Sequence, residues 1–417
     1  MAKIKKIIAR EILDSRAFPT LEATIQLDDG TSGTFAVPSG LSVGKHEALE
    51  LRDQDPKRYA GRGVLKCLES IHDVLGPKII GLEAADQDKI DNLLIQTDGT
   101  KDKSRLGANT ILVLSGAILK AQAVSLKLPV YQYIAKLLGH DLSHFSMPTP
   151  MFNVINGGKH GGGNLDFQEF MIVPSRATNY STGLKMGVEI YYTLKEALIN
   201  HNASTLLGDE GGYAPILDSN LDAFKILEEA ISKAGYKLGL DVFYALDAAA
   251  NNILVGSSFK IKDRPVPLSS SDFIDFYVQL HEQYHLIAVE DPLPEDEWDD
   301  WQKLTEKMGS ETMVIGDDLI STNVERLKKA IDHKSANALI IKPNEVGTVT
   351  ETLNVVKIAK ESKFKMIASH RAGETNDDFM ADFAVGTGAD YVKFGAPARG
   401  ERVAKYNRLL EIENELS

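Results

Sequence analysis

Six short apolar runs in this 417-residue chain each stop at an ionisable side chain. Val242 to Leu246 ends at Asp247, Leu286 to Val289 at Glu290, and Met313 to Gly316 at Asp317. Ala338 to Ile341 ends at Lys342, Met366 to Ser369 at His370, and Tyr391-Val392 at Lys393. Continuous apolar runs of this length suit strands buried on both faces, as in a parallel sheet. In a parallel barrel the C-terminal strand ends form the mouth where active sites sit. Any fold assigned to the chain must explain why Asp, Glu, Asp, Lys, His and Lys arrive there in that order.

Upstream of these runs the pattern differs. Residues 4–37 read as a meander of strands with a hairpin signal at Asp28-Asp29-Gly30, followed by a Gly-rich loop from Pro38 to Gly44. Helical spacing dominates from Val64 to Leu138, with a break at Pro129. Together these predict a small α+β domain over residues 1–139. The segment from Gly139 to Pro150 holds Pro148 and Pro150 and is the expected boundary. From Met151 onward, apolar runs alternate with helices such as Leu221 to Ala234, ending in a C-terminal helix from Ala404 to about Leu416. Residues 140–417 therefore predict an eight-stranded α/β barrel. An open doubly wound sheet competes, but no dinucleotide fingerprint follows a strand.

Charge and cysteine content exclude several functions. With 59 acidic against 46 basic residues, the net charge of −13 argues against a nucleic-acid partner. A single cysteine, Cys67, permits neither an internal disulfide nor a cysteine metal cage. The longest membrane candidate, Ile111 to Leu119, is about half of what a spanning helix needs. Its Ser115, Gly116 and Ala117 read as close helix packing instead. The expectation is a cytoplasmic protein with no membrane span and, given the charged N-terminus, no signal peptide.

Three constellations carry chemistry. Asp247, Glu290 and Asp317 could each be a solvated carboxylate, but three on consecutive strand ends cannot all ionise without a counter-charge. A hard divalent cation supplies one, and all-oxygen ligation favours magnesium or manganese over zinc. Lys342, His370, Arg371 and Lys393 form an anion pocket, or else pair with the carboxylates as structural salt bridges. One lysine beside another cation and a metal would lose basicity, as a lysine general base must. The third group is glycine-rich: Asn156 to Gly163 with His160 at its centre, and Gly208 to Gly212 presenting Asp209 and Glu210. Gln168-Glu169 precedes the strand at Met171. Glycine loops at a barrel mouth make good lids. Combined, these parts specify a reaction class. Metal clamps a carboxylate, a lysine removes the proton alpha to it to give an ene-diolate, and a carboxylic acid across the site protonates a departing hydroxide.

These residues resemble the enolase family along essentially the whole chain, and the scheme just given is the known one for that superfamily. The strings are Asp14-Ser15-Arg16, Val37-Pro38-Ser39-Gly40, Gln168-Glu169-Phe170-Met171-Ile172 and Gly208-Asp209-Glu210-Gly211-Gly212. Val289-Glu290-Asp291, Gly316-Asp317-Asp318-Leu319, Ile341-Lys342, Ser369-His370-Arg371 and Gly373-Glu374-Thr375 follow. The resemblance implies a barrel whose early strands depart from simple βα alternation. It also implies reversible dehydration of 2-phosphoglycerate to phosphoenolpyruvate. By position, Asp247, Glu290 and Asp317 would hold one magnesium, and Ser42 in the lid would help bind a second that arrives with substrate. Lys342 would be the general base and Glu210 the general acid, with Glu169 assisting and His160 and His370 lining the pocket. Gln168, Lys393 and Arg371 would contact substrate, Arg371 through the phosphate. A homodimer or larger homo-oligomer is implied, and display at the cell surface without a signal is compatible with the family.

Several positions depart from the family pattern. Ala372 stands where the family normally places a phosphate-binding serine. Leu41 and Val43 replace the usual Ala and Thr of the lid, Glu345 a glutamine, Asn252 a glutamate, and Ala17-Phe18 a Gly-Asn pair. One reading is a diverged enolase acting on 2-phosphoglycerate; another is an enolase-like dehydratase of a related phosphorylated or phosphonate hydroxy acid. A non-catalytic scaffold or surface receptor is a third, disfavoured because the acid, base and metal carboxylates are all kept.

Overall fold

The computed structural model describes residues 2–41 and 43–417. Strands β1 (Ile4–Leu13), β2 (Pro19–Leu27) and β3 (Ser32–Ala36) form an antiparallel sheet in that order. Leu21, Ala23, Ile25 and Leu27 of β2 are all buried, as the period of two along a strand requires of a sheet with one covered face. Helices α1 (Leu65–Glu69), α2 (Gly76–Ile79), α3 (Gln87–Asp98), α4 (Ala108–Ser125) and α5 (Val130–Leu137) follow.

The apolar run expected at Ile111 to Leu119 lies inside the longer α4. By length and composition α4 could cross a membrane, but 83% of it is buried inside the protein. A helix apolar all round is a core helix in such a setting. Its small residues let the sheet approach closely: a Cβ on Gly116 would lie 2.6 Å from the Phe35 ring, and one on Gly33 would lie 2.1 Å from the Ala121 nitrogen.

The second part is a closed barrel. Its strands are β4 (Thr149–Asn156), β5 (Glu169–Pro174), β6 (Val242–Asp247), β9 (Leu286–Glu290), β10 (Met313–Gly316), β11 (Ala338–Ile341), β12 (Lys365–Ser369) and β13 (Tyr391–Lys393). A small hairpin, β7 (Leu254–Val255) and β8 (Ser258–Phe259), projects outside it. Around the barrel the order is β10-β11-β12-β13-β4-β5-β6-β9. Met151, Met171, Ala288, Ile315, Ile340 and Ile367 pack into its interior, so the barrel is a filled core rather than a pore. Helices α6 (Tyr180–Asn200), α7 (Asn220–Lys233), α8 (Ser270–Tyr284), α9 (Trp298–Met308), α10 (Val324–His333), α11 (Val349–Glu361), α12 (Phe379–Thr387) and α13 (Gly400–Leu416) complete the chain.

Strand β5 runs antiparallel to both β4 and β6, with Glu169 paired to Asp247 and Pro174 to Val242. The first residue of β5, rather than its last, therefore reaches the mouth. Helix α13 starts at Gly400, four residues before the expected Ala404. The charged residues of its first turn hide the apolar period there, because Arg402 and Lys405 share the buried face with Tyr406, Leu409 and Ile412.

The glycine-rich loop of the small sheet is rooted on the barrel. Ser39 N–H donates to Gly373 O at 2.7 Å and Gly373 N–H to Ser39 O at 3.0 Å. Ser15 N–H donates to Glu374 O at 2.8 Å, and Ala48 N–H to Glu345 O at 2.8 Å. Arg16 Nη2 donates to Gly40 O at 3.0 Å. Its neighbour Ala17 adopts φ +61°, a left-handed backbone that glycine takes without a Cβ penalty.

Candidate active site

All six ionisable strand ends meet at the mouth. Asp247 and Glu290 are register partners, and Glu290 pairs with Ile315, two residues before Asp317. One buried pocket is lined by Asp247, Asp317, Lys342, His370, Arg371 and Lys393. His160, Gln168, Glu169, Glu210 and Ala372 line it too, as does Leu41 from the small domain. Glu290 lies beneath this lining: it is fully buried and Lys393 Nζ donates to both of its carboxylate oxygens, at 2.7 and 2.8 Å. Ser42 lies outside the described residues.

The basic residues are met by acids. Lys393 Nζ also lies 3.2 Å from Glu169 Oε2 and 3.5 Å from Asp247 Oδ2. Lys342 Nζ hydrogen-bonds Asp317 Oδ2 and lies 3.3 Å from Glu345 Oε1. The pairing of these bases with carboxylates, the alternative to an anion pocket, is thus present in the structure. The loss of basicity expected of a lysine beside a cation and a metal is not what the protein groups alone produce at Lys342. Burial opposes its charge, but Asp317 and Glu345 outweigh burial and the nearby Arg371 and Lys393, and hold the ammonium above its ordinary pKa.

Negative charge remains in excess beside Lys393. Burial, reinforced by Asp247 and Asp317, pushes Glu290 well above the usual carboxylate range despite Lys393. Asp291 is raised in the same way by burial and by Asp318 and Asp317, and Asp318 is pushed up to about 7. Asp317 Oδ1 is buried with no hydrogen-bond partner. An all-oxygen set carrying uncompensated charge and an unspent carboxylate oxygen fits a hard divalent cation. The tightest acidic group at this point is Asp291, Asp317 and Asp318, whose ligand atoms lie within 4.8 Å of one another. The expected trio of Asp247, Glu290 and Asp317 does not form such a group among the described residues; Lys393 Nζ lies 2.7 Å from Glu290 Oε1 and 3.5 Å from Asp247 Oδ2. Asp291 is committed elsewhere: it accepts the N–H groups of Asp317 and Asp318, both at 2.9 Å.

Across the pocket stands a different cluster. His160 Nδ1 lies 3.3 Å from Glu169 Oε1 and 3.4 Å from Glu210 Oε1. Asn153 Nδ2 donates to Glu210 Oε2 at 2.9 Å, and His370 Nε2 lies 3.2 Å from the same oxygen. Burial opposes charge on Glu210, but His370, His160 and Arg402 outweigh it and hold the carboxyl well below its ordinary value. Glu169 goes the other way, raised by burial and by Glu210 against the pull of Lys393 and His160. The two carboxyls of this cluster are thus pushed in opposite directions, Glu169 up and Glu210, the expected acid, down.

Arg371, the expected phosphate contact, is met by acids of the chain itself. Arg371 Nη1 and Nη2 donate to the two oxygens of Glu47 at 2.8 and 3.2 Å, and Nη1 also donates to Asn344 Oδ1 at 3.2 Å. Glu345 Oε1 lies 3.7 Å away. Burial, with Asp317 and Glu47 adding to it, pushes Glu345 up to about 8 despite Lys342 and Arg371. Gly40 sits against the same guanidinium, where a Cβ would lie 2.2 Å from Nη2. Gln168 Nε2 donates to Asp247 Oδ2 at 3.2 Å, leaving its buried Oε1 without a partner.

Glu47, Asn153 and Arg402 are structural members of this site that the strand-end pattern misses. A signal existed for Arg402, since a basic residue on the apolar face of α13 has to find acceptors. Glu47 and Asn153 carry no comparable mark. A family model for the enolase N-terminal domain matches residues 4–134. A second, for the enolase C-terminal TIM barrel domain, matches residues 144–417. These matches span nearly the whole sequence and agree with the small sheet domain and closed barrel seen here, so the chain belongs to the enolase family.

Proposed function

We propose that the protein catalyses the magnesium-dependent, reversible dehydration of 2-phosphoglycerate to phosphoenolpyruvate, as a hydro-lyase. The observation that carries this reading is the placement of base and acid. Lys342 follows β11, and Glu169 begins β5, four places round the eight-stranded barrel and so on its opposite side. Glu210 stands beside Glu169, bridged to it by His160. A substrate between them would expose the carbon losing a proton to one wall and its leaving hydroxyl to the other.

In the hydration direction the Lys342 ammonium would deliver its proton to C2, and a Glu210 carboxylate would take a proton from the water attacking C3. Dehydration runs both transfers backwards: neutral Lys342 accepts the C2 proton and protonated Glu210 gives one to the departing hydroxide. Asp247, Glu290 and Asp317 would hold one magnesium, and Ser42 would help with a second that comes with substrate. Bound there, magnesium would supply positive charge for the substrate carboxylate as the C2 proton leaves. Arg371 would bind the phosphate in place of Glu47, and Leu41 would help shut out water.

The test is steady-state kinetics on 2-phosphoglycerate with magnesium, followed by the ultraviolet absorbance of phosphoenolpyruvate. Turnover that needs the metal is the expected result. No turnover in either direction would sink the reading. A related phosphorylated or phosphonate hydroxy acid is the second reading, favoured by Ala372 and by the two carboxylates around Arg371. It predicts turnover of such an acid where 2-phosphoglycerate fails.

A further inference from the structure

Arg402 is a fully buried cation whose guanidinium is spent on the backbone. Nη1 donates to Arg371 O at 2.7 Å, and Nη2 donates to Ala372 O at 2.7 Å and to Asp209 O at 3.3 Å. The nearest carboxylate, Glu401, lies 3.5 Å from Nε without an aligned hydrogen bond. One side chain at the start of α13 thus ties the turn that carries Glu210 to the loop that carries Arg371. Nη1 has one more partner, His370 Nδ1, at 2.8 Å.

That last contact fixes a proton. A guanidinium donates and cannot accept, so His370 Nδ1 must be the acceptor. In a neutral imidazole the proton then belongs to Nε2. The ring is neutral: burial, with Arg402 and Lys393 adding to it against Glu210, pushes the imidazolium down to about 3. Nε2 faces the pocket 3.2 Å from Glu210 Oε2, buried and with no aligned acceptor. A buried donor left unspent is costly unless a further partner, such as substrate, completes it.

We propose that Arg402 is a positioning residue that locks His370 as the Nε2–H tautomer, so that the imidazole serves only as a hydrogen-bond donor to Glu210 or to the departing oxygen. His370 is then no proton shuttle, and proton transfer on this wall belongs to the Glu169–Glu210 pair. This rests on the dehydratase reading for its role in turnover, but not for the tautomer itself.

The test uses the magnesium-loaded protein with nitrogen-labelled histidine and long-range proton–nitrogen NMR, the His370 signal being assigned by its loss in His370→Gln. The native protein should show protonated Nε2 and bare Nδ1 at this ring. Arg402→Met should lose that pattern and lower kcat about ten- to a hundredfold, as removal of other orienting partners does, with KM changed much less. Arg402→Lys, which keeps the buried charge and one donor, should fold more readily and restore part of both the signal and kcat. A native Nδ1–H tautomer, or an imidazolium, overturns the proposal even if no variant folds. So does a fall in kcat in Arg402→Met with the tautomer unchanged, the mark of a merely structural residue. A native protein that shows the Nε2–H pattern yet leaves 2-phosphoglycerate untouched supports the lock and overturns only the substrate reading.

Discussion

Glu210 and Arg371 face the same pocket, yet their partners differ in kind. Glu210 is met by an amide from Asn153 at 2.9 Å and by histidines on both flanks. Arg371 is met by the paired oxygens of Glu47, with Glu345 behind. One wall gathers an amide and two histidines round a carboxylate; the other gathers carboxylates round a guanidinium. Under the proposed function the first would act on the substrate, and at the second an incoming anion would compete with Glu47 for a bidentate fork.

Substitutions on the two walls should therefore read differently. Lys342→Ala should show the largest effect, a loss of turnover of about a hundred- to ten-thousandfold, with magnesium affinity by calorimetry unchanged. Parallel loss of metal binding would mean the lysine holds the carboxylates together and takes no proton. Next comes Ala372→Ser, which returns a hydroxyl donor beside Arg371. For a phosphate ligand it should lower KM by about ten- to a hundredfold while leaving kcat alone. A KM that does not move would place the distal anion somewhere other than this loop. Smallest is Glu47→Gln, which weakens the internal rival and should tighten binding of inorganic phosphate by roughly tenfold at most. Weaker phosphate binding in that variant would break the comparison, since Glu47 would then be supporting Arg371 rather than competing for it.

The uneven spread of these effects matches what could be read from the sequence. The barrel announced itself because six of its eight strands run into an ionisable residue, and Asp247, Asp317, Lys342 and Lys393 fell where strand ends must fall. Glu169 needed the family resemblance, since nothing local says that β5 runs backwards. The second tier was out of reach for a physical reason. Arg402 works mainly through backbone carbonyls, and Glu47 through a residue more than three hundred positions away. Neither leaves a periodic trace. Protonation was least legible of all. The strand-end pattern brings Lys342 to the site and a glycine-rich turn brings Glu210, but only their distances to Asp317 and to the flanking histidines show what pulls on each proton.

The reversed strand β5 has a practical consequence. Residues 157–168 span from the last residue of β4 to the first of β5, so the loop bearing His160 stands on two feet that are hydrogen-bonded to each other. Its tip can be exchanged as a cassette without opening the barrel seam, whereas an α-helix must be carried along with most of the other rim loops. For an engineer wishing to change the wall at Glu169 and Glu210 while keeping Lys342 and the strand-end carboxylates, the hairpin at His160 is the place to cut.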